Sequence, residues 1–149
     1  MQKKSCLIIT SDAGFGHRSA ALSVAKALEV LYPGQVEILV TNPIQESNTP
    51  KVMKPIEKGY DRSVRFSPGL YRLSYEVSDS RLVSEVVEGA LALMLQRIMA
   101  DTIREFKPGV ILNTNEMFNT PIGRVLQESG ARTPSFTVVT ALADVHPPW

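Results

Sequence analysis

The chain has 149 residues, 44% hydrophobic and 21% charged, with a formal net charge of +1. That suffices for one domain of ordinary size with a buried core, and the near-neutral balance excludes a strong global attraction to nucleic acid. One cysteine excludes an internal disulfide and suits a reducing compartment. No apolar run is long enough to cross a bilayer, and the first one, broken at Ser11-Asp12, does not read as a secretion signal.

Cys6-Leu7-Ile8-Ile9 is too short for a helix and suits a strand buried on both faces. A loop follows, Ser11-Asp12-Ala13-Gly14-Phe15-Gly16-His17-Arg18-Ser19, and then a helical pattern that begins near Arg18. Ala21, Val24, Ala25, Leu28 and Leu31 mark its core-facing stripe, and Pro33-Gly34 ends it. Strand, glycine turn and helix N-terminus together bring backbone N–H groups to the end of a sheet.

Two readings of the glycine loop compete. As a dinucleotide fingerprint, Gly14 and Gly16 match, but Ser19 stands in the place of the third glycine. The second strand also ends Ile38-Leu39-Val40-Thr41-Asn42, with no acid at its tip for a ribose hydroxyl. The other reading is a loop whose backbone amides hold an acceptor hydroxyl or a phosphate beside a base. His17 is either a polar residue helping to satisfy free N–H groups or that base. The positive end of the helix dipole disfavours a charged ring there, and Asp12 is placed to orient it or share its proton.

Val36 to Val40 reads as the second strand, broken by Asn42-Pro43. The polar loop of residues 45–50 then borders the crevice that forms where such strands end. Between Pro50 and Tyr75, Lys51, Lys54, Lys58, Arg62, Arg65 and Arg72 outnumber Glu57 and Asp61. Aromatic and aliphatic residues such as Tyr60, Phe66 and Tyr71 are interleaved with them. This pattern fits either contact with an anionic membrane surface or a solvated helix face packed on the sheet.

Leu82 to Phe106 reads as one long helix or two abutting ones. Val83, Val86, Val87, Ala90, Leu91, Met94, Ile98 and Phe106 lie on the buried face, and Lys107-Pro108-Gly109 ends it. Val110-Ile111-Leu112 is a third buried strand. The polar run Asn113-Thr114-Asn115-Glu116 after it points toward the same crevice as Gly14 and His17. Glu116 there is either catalytic or an ordinary cap. A helix from about Thr120 to Ser129, closed by Gly130, precedes a strand from Phe136 to Thr140 that runs toward His146. The order of elements implies an α/β fold, a parallel sheet with helices on both faces. The two histidines are far apart in sequence and make no metal-ligand cluster.

Thr10-Ser11-Asp12-x-Gly14-x-Gly16-His17-Arg18-Ser19-Ala20-Ala21 resembles the opening motif of the monogalactosyldiacylglycerol synthase and processive diacylglycerol glucosyltransferase family. Thr140-Ala141-Leu142-Ala143-Asp144-Val145-His146-Pro147-Pro148-Trp149 is similar to the Thr-Asp-x-x-x-x-His-Pro-x-Trp segment that closes that family's N-terminal domain. The family commonly carries glycine where Phe15 stands and aspartate where Ala141 stands.

The resemblance implies the Rossmann-like N-terminal half of a GT-B glycosyltransferase, residues 1–149, with a C-terminal nucleotide-sugar domain to follow. The implied reaction is inverting transfer of a hexose from a UDP-sugar to diacylglycerol or a glycosyl-diacylglycerol. Such an enzyme would be cytoplasmic and peripheral on an anionic membrane, and would use no cofactor beyond the donor substrate. His17 would be the base, with Asp12 beside it, and Gly14, Phe15, Gly16, Arg18 and Ser19 would form the acceptor or phosphate loop. Asn113, Asn115, Glu116, Asp144, His146 and Trp149 would line the crevice. Alone, these residues would show little or no transfer. A non-catalytic lipid- or anion-binding module with this fold is the rival expectation.

Overall fold

The computed structural model describes residues 4–12, 15–46, 49 and 81–138, backbone only at 15 and 81–92. Among the described residues four strands form one sheet: β1 (Lys4–Ile9), β2 (Val36–Thr41), β3 (Val110–Asn113) and β4 (Ser135–Thr137). Their order is β2-β1-β3-β4 and every pairing is parallel, with Ile8 opposite Val40 on one side and Leu112 on the other. Among the described residues three α-helices accompany them: α1 (Phe15–Leu31), α2 (Arg81–Phe106) and α3 (Asn119–Ser129). This is the expected α/β Rossmann-like architecture.

The alternation of side chains along β1 explains its unbroken apolar run. Cys6 and Ile8 pack with Ala21 and Ala25 of α1, flanked by Val24 and Leu28. Leu7 and Ile9 pack on the opposite face with Leu95, Ile98, Met99 and Ile103 of α2 and Ile122 and Val125 of α3. Both faces of β1 are therefore buried, and each such aliphatic side chain contributes about 1.5–3 kcal/mol by leaving water. Burial also raises the Cys6 thiol pKa and keeps the group protonated.

Three expectations about the helices need correcting. The first helix starts at Phe15, not near Arg18, so Gly16, His17, Arg18 and Ser19 belong to its first turns rather than to a loop. Gly16 is not required by backbone geometry or crowding, because a Cβ there would meet no atom within 4 Å. Leu31 ends the α1 stripe at 67% exposure, beyond the last residues that the sheet covers. Among the described side chains of α2 the buried ones are Leu95, Ile98, Met99 and Ile103, with Met94 46% exposed; those of Val83, Val86, Val87, Ala90 and Leu91 lie outside the described residues. The Ala-Leu-Met-Leu stretch is apolar all round, so its period could not select the inward side.

The helix ends behave as their residues dictate. α2 stops where Lys107 adopts φ 50° and donates its N–H to Ile103, ahead of Pro108. α3 starts at Asn119 and closes at Gly130, φ 65°, the left-handed cap that glycine tolerates best. At the start of β3, Gly109 donates to Ser5 at 2.8 Å, and a Cβ on Gly109 would approach the Ser5 carbonyl oxygen to 3.3 Å. β4 begins at Ser135 and is exposed along its length. The part of the expected strand beyond Val138 lies outside the described residues, as does the stretch from 50 to 80.

Candidate functional site

The strand order decides where a site can form. β1 and β3 are neighbours, but the helix after β1 covers one face and the helix after β3 covers the other. The connections leaving their C-terminal ends therefore turn to opposite faces, which makes this the crevice position at which doubly wound sheets bind ligands. The residues leaving β1 are Thr10, Ser11 and Asp12; those leaving β3 are Thr114, Asn115 and Glu116.

His17 spans this crevice. It is the third residue of α1, half-buried, and its Nδ1 lies in a hydrogen bond with the backbone carbonyl oxygen of Thr114, 97 residues away. A carbonyl oxygen only accepts, so Nδ1 carries the proton. In the neutral ring Nε2 is then the lone-pair nitrogen. Asp12 accepts from Arg18 Nη1 at 3.0 Å, an ion pair whose arginine side chain is 60% exposed. The two loops also bond directly, Thr114 Oγ1 donating to Thr10 Oγ1 at 3.0 Å and Asn115 Nδ2 to Ser11 Oγ at 2.6 Å.

Thr10, Ser11, Asn113, Thr114 and Asn115 are all at most 5% exposed, a group of buried polar side chains at the ends of two apolar strands. Each finds a partner, as buried polar groups must if they are not to cost stability. Asn113 Oδ1 accepts from Asn115 N at 3.1 Å, and its Nδ2 donates to Asn119 Oδ1 at 2.8 Å. Asn119 Oδ1 also accepts from Thr137 Oγ1 at 2.6 Å. The polar chain thus runs from His17 on α1 through β3 to the end of β4.

Asp12, His17, Arg18, Asn113, Asn115 and Glu116 therefore lie at one end of the sheet. Glu116 is exposed and opens a short 3-10 turn, Glu116–Phe118, whose N-cap is Asn115: Asn115 Oδ1 accepts from Met117 N at 3.1 Å. Thr10, Ser11 and Thr114 were named from sequence only as members of the runs after β1 and β3, without a role of their own, and Asn119 was not singled out. The available signal was a hydroxyl- or amide-bearing run directly after each of two buried strands. Gly14, Asp144, His146, Trp149 and the basic residues Lys51, Lys54, Lys58, Arg62 and Arg65 lie outside the described residues, and so does the Phe15 side chain.

Farther along the sheet, a cavity of about 570 Å³ opens beyond β2 and is lined by Thr41, Asn42, Gln45, Glu46, Thr102 and Glu105 among others. Glu46 accepts from Thr41 Oγ1 at 2.5 Å there. Among the described residues, no group of three or more His, Cys, Asp and Glu side chains could hold a metal ion. No helix among them is long and apolar enough to cross a membrane.

Comparison with known proteins points to one family. A family model for monogalactosyldiacylglycerol (MGDG) synthase matches residues 17–149, from the crevice histidine onward. The chain is 25% identical over 148 residues to a probable chloroplastic MGDG synthase of Nicotiana tabacum and to the chloroplastic MGDG synthase of Spinacia oleracea. It is 24% identical to chloroplastic MGDG synthase 1 of Arabidopsis thaliana. Each alignment covers 98% of this chain but only 27–28% of the relative, so the chain spans little more than a quarter of their length. With its Rossmann-like sheet, its histidine in the crevice between β1 and β3 and a family match over most of its length, the chain belongs to the MGDG synthase family.

Proposed function

We propose that this chain is the acceptor-side domain of an inverting glycosyltransferase that moves a hexose from a UDP-sugar to diacylglycerol, or to the sugar already on it. The observation that carries this reading is the His17–Thr114 hydrogen bond, which leaves Nε2 as the basic nitrogen of the neutral ring. In the transfer, the acceptor oxygen bonds to the anomeric carbon from one side while the bond to the diphosphate breaks on the other. The leaving UDP takes the electron pair, and Nε2 of His17 takes the hydroxyl proton. A hydroxyl is a poor nucleophile until that proton has a destination, and a positioned base contributes roughly 10²–10⁴-fold.

The first turn of α1 suits the acceptor or the departing diphosphate, since its backbone N–H groups carry the positive end of the helix dipole. The space above Gly16 is open. A second Rossmann-like domain would hold the nucleotide-sugar. The fragment alone would then show little or no transfer. His146 and Trp149 would close the crevice at the junction.

The test is transfer from UDP-galactose and UDP-glucose by the complete protein that carries this chain, on vesicles containing diacylglycerol. A glycolipid product from one donor is expected. Adsorption to the vesicles with no product from either donor would overturn the enzyme reading and leave a lipid-binding module.

Substrate of this kind lies in a bilayer, and the basic stretch gives the domain a way to reach it from the cytoplasmic side as a peripheral protein. Each of Lys51, Lys54 and Lys58 near an anionic surface would contribute about 1 kcal/mol. Replacing all three by glutamine should weaken adsorption to vesicles containing phosphatidylserine roughly a hundredfold at low salt and flatten its salt dependence. Unchanged adsorption would return the stretch to the solvated helix face.

A further inference from the structure

We propose that Thr114 and Asn115, clasped to Thr10 and Ser11 across the crevice, are positioning residues that fix the tautomer of His17. The inference rests on the reading of His17 as the base and adds what holds that base ready. In free histidine the neutral ring prefers its proton on Nε2, the placement that leaves no lone pair where the proposed chemistry needs one. A well-aimed acceptor at Nδ1 reverses that preference.

The acceptor here is a main-chain carbonyl, and its direction is set by the peptide that carries it. That peptide is held by its own N–H and by the two residues that flank it. Thr114 N donates to Ile9 O at 3.0 Å, and Thr114 Oγ1 to Thr10 Oγ1 at 3.0 Å. The next residue is tied by Asn115 N to Asn113 Oδ1 at 3.1 Å and by Asn115 Nδ2 to Ser11 Oγ at 2.6 Å.

A hydroxyl pair buried to 4% and 1% exposure is a costly way to gain stability alone, because an apolar pair of the same shape can be as stable. What such a network adds is a single geometry. It also couples β1 to β3 at the point where their helices part, so the ring of α1 is registered against β3 and not merely against its own strand.

The test uses the complete protein with 15N-labelled histidine, the His17 signal being the one lost in His17→Gln. Two-bond proton–nitrogen correlations are expected to show the proton on Nδ1. Thr114→Val keeps the shape and the main-chain carbonyl but removes the hydroxyl clasp. It should move the ring toward the Nε2–H form and lower kcat about tenfold while the KM for diacylglycerol stays within about twofold.

Thr114→Ser restores the hydroxyl and should recover both readouts. Should Thr114→Val not fold, Thr10→Val removes the same hydroxyl pair from the β1 side. A wild-type ring protonated on Nε2, or a Val variant with unchanged tautomer, overturns the inference. A shifted tautomer with normal turnover supports the clasp and instead removes His17 from the chemistry.

Discussion

His17→Ala in the complete protein is expected to lower kcat by about 10²–10⁴-fold, the range that a positioned general base contributes. The KM for diacylglycerol should move little, because the ring is asked to act on the hydroxyl proton only as the new bond forms. Stability should fall only slightly. The ring is half-buried and hydrogen-bonds the Thr114 carbonyl, so its removal costs about 0.5–1.5 kcal/mol for that lost hydrogen bond.

A large rate loss with a nearly unchanged melting temperature separates chemistry from scaffolding. His17→Gln sharpens the test, because an amide can still donate to the Thr114 carbonyl but cannot take a proton. It should be as slow as the alanine variant. Turnover by either variant within a few fold of wild type would exclude proton abstraction by His17.

β1, β2 and β3 were legible in sequence because each is a short, largely apolar run set between polar punctuation, whereas β4 is exposed along its length. The inward stripe of α1 was legible for the same reason: Ala21, Val24, Ala25 and Leu28 repeat at helical spacing between polar neighbours, and all four face the sheet. The rotation of α2 was not legible. Leu93, Met94 and Leu95 are all apolar, and only packing against Leu7, Ile9 and Ile111 decides that Leu95 turns inward.

The site was half legible. Its histidine and the two polar runs could be named, and a common crevice could be expected from parallel topology. The contact between His17 and Thr114 could not, because it requires β3 to lie beside β1. The order of elements along the chain leaves that arrangement open, and the sheet order β2-β1-β3-β4 settles it. Nor does a linear sequence distinguish a hydroxyl that bonds its own loop from one that bonds across 104 residues, as those of Thr114 and Ser11 do.

Phe118→Ala is expected to have the largest effect on stability, about 3–5 kcal/mol for an aromatic side chain emptied from a packed core. Phe118 is fully buried among the core residues beneath α2 and α3, and it belongs to the same 3-10 turn that Asn115 caps. Its N–H donates to Asn115 O at 3.1 Å. The loss should therefore reach the crevice as well as the core. Leu95→Ala supplies the comparison: Leu95 is equally buried in that core but lies on α2, remote in sequence from either loop of the crevice. Its removal should cost about 2–5 kcal/mol. Urea unfolding should show a lowered midpoint for both, with the slope unchanged. Assayed well below those midpoints, the Leu95 variant should keep kcat within about twofold, while the Phe118 variant should lose about tenfold, because it alone loosens the peptide that aims at His17. Equal kcat in the two folded variants would show that the turn after β3 holds the core together without holding the histidine in place.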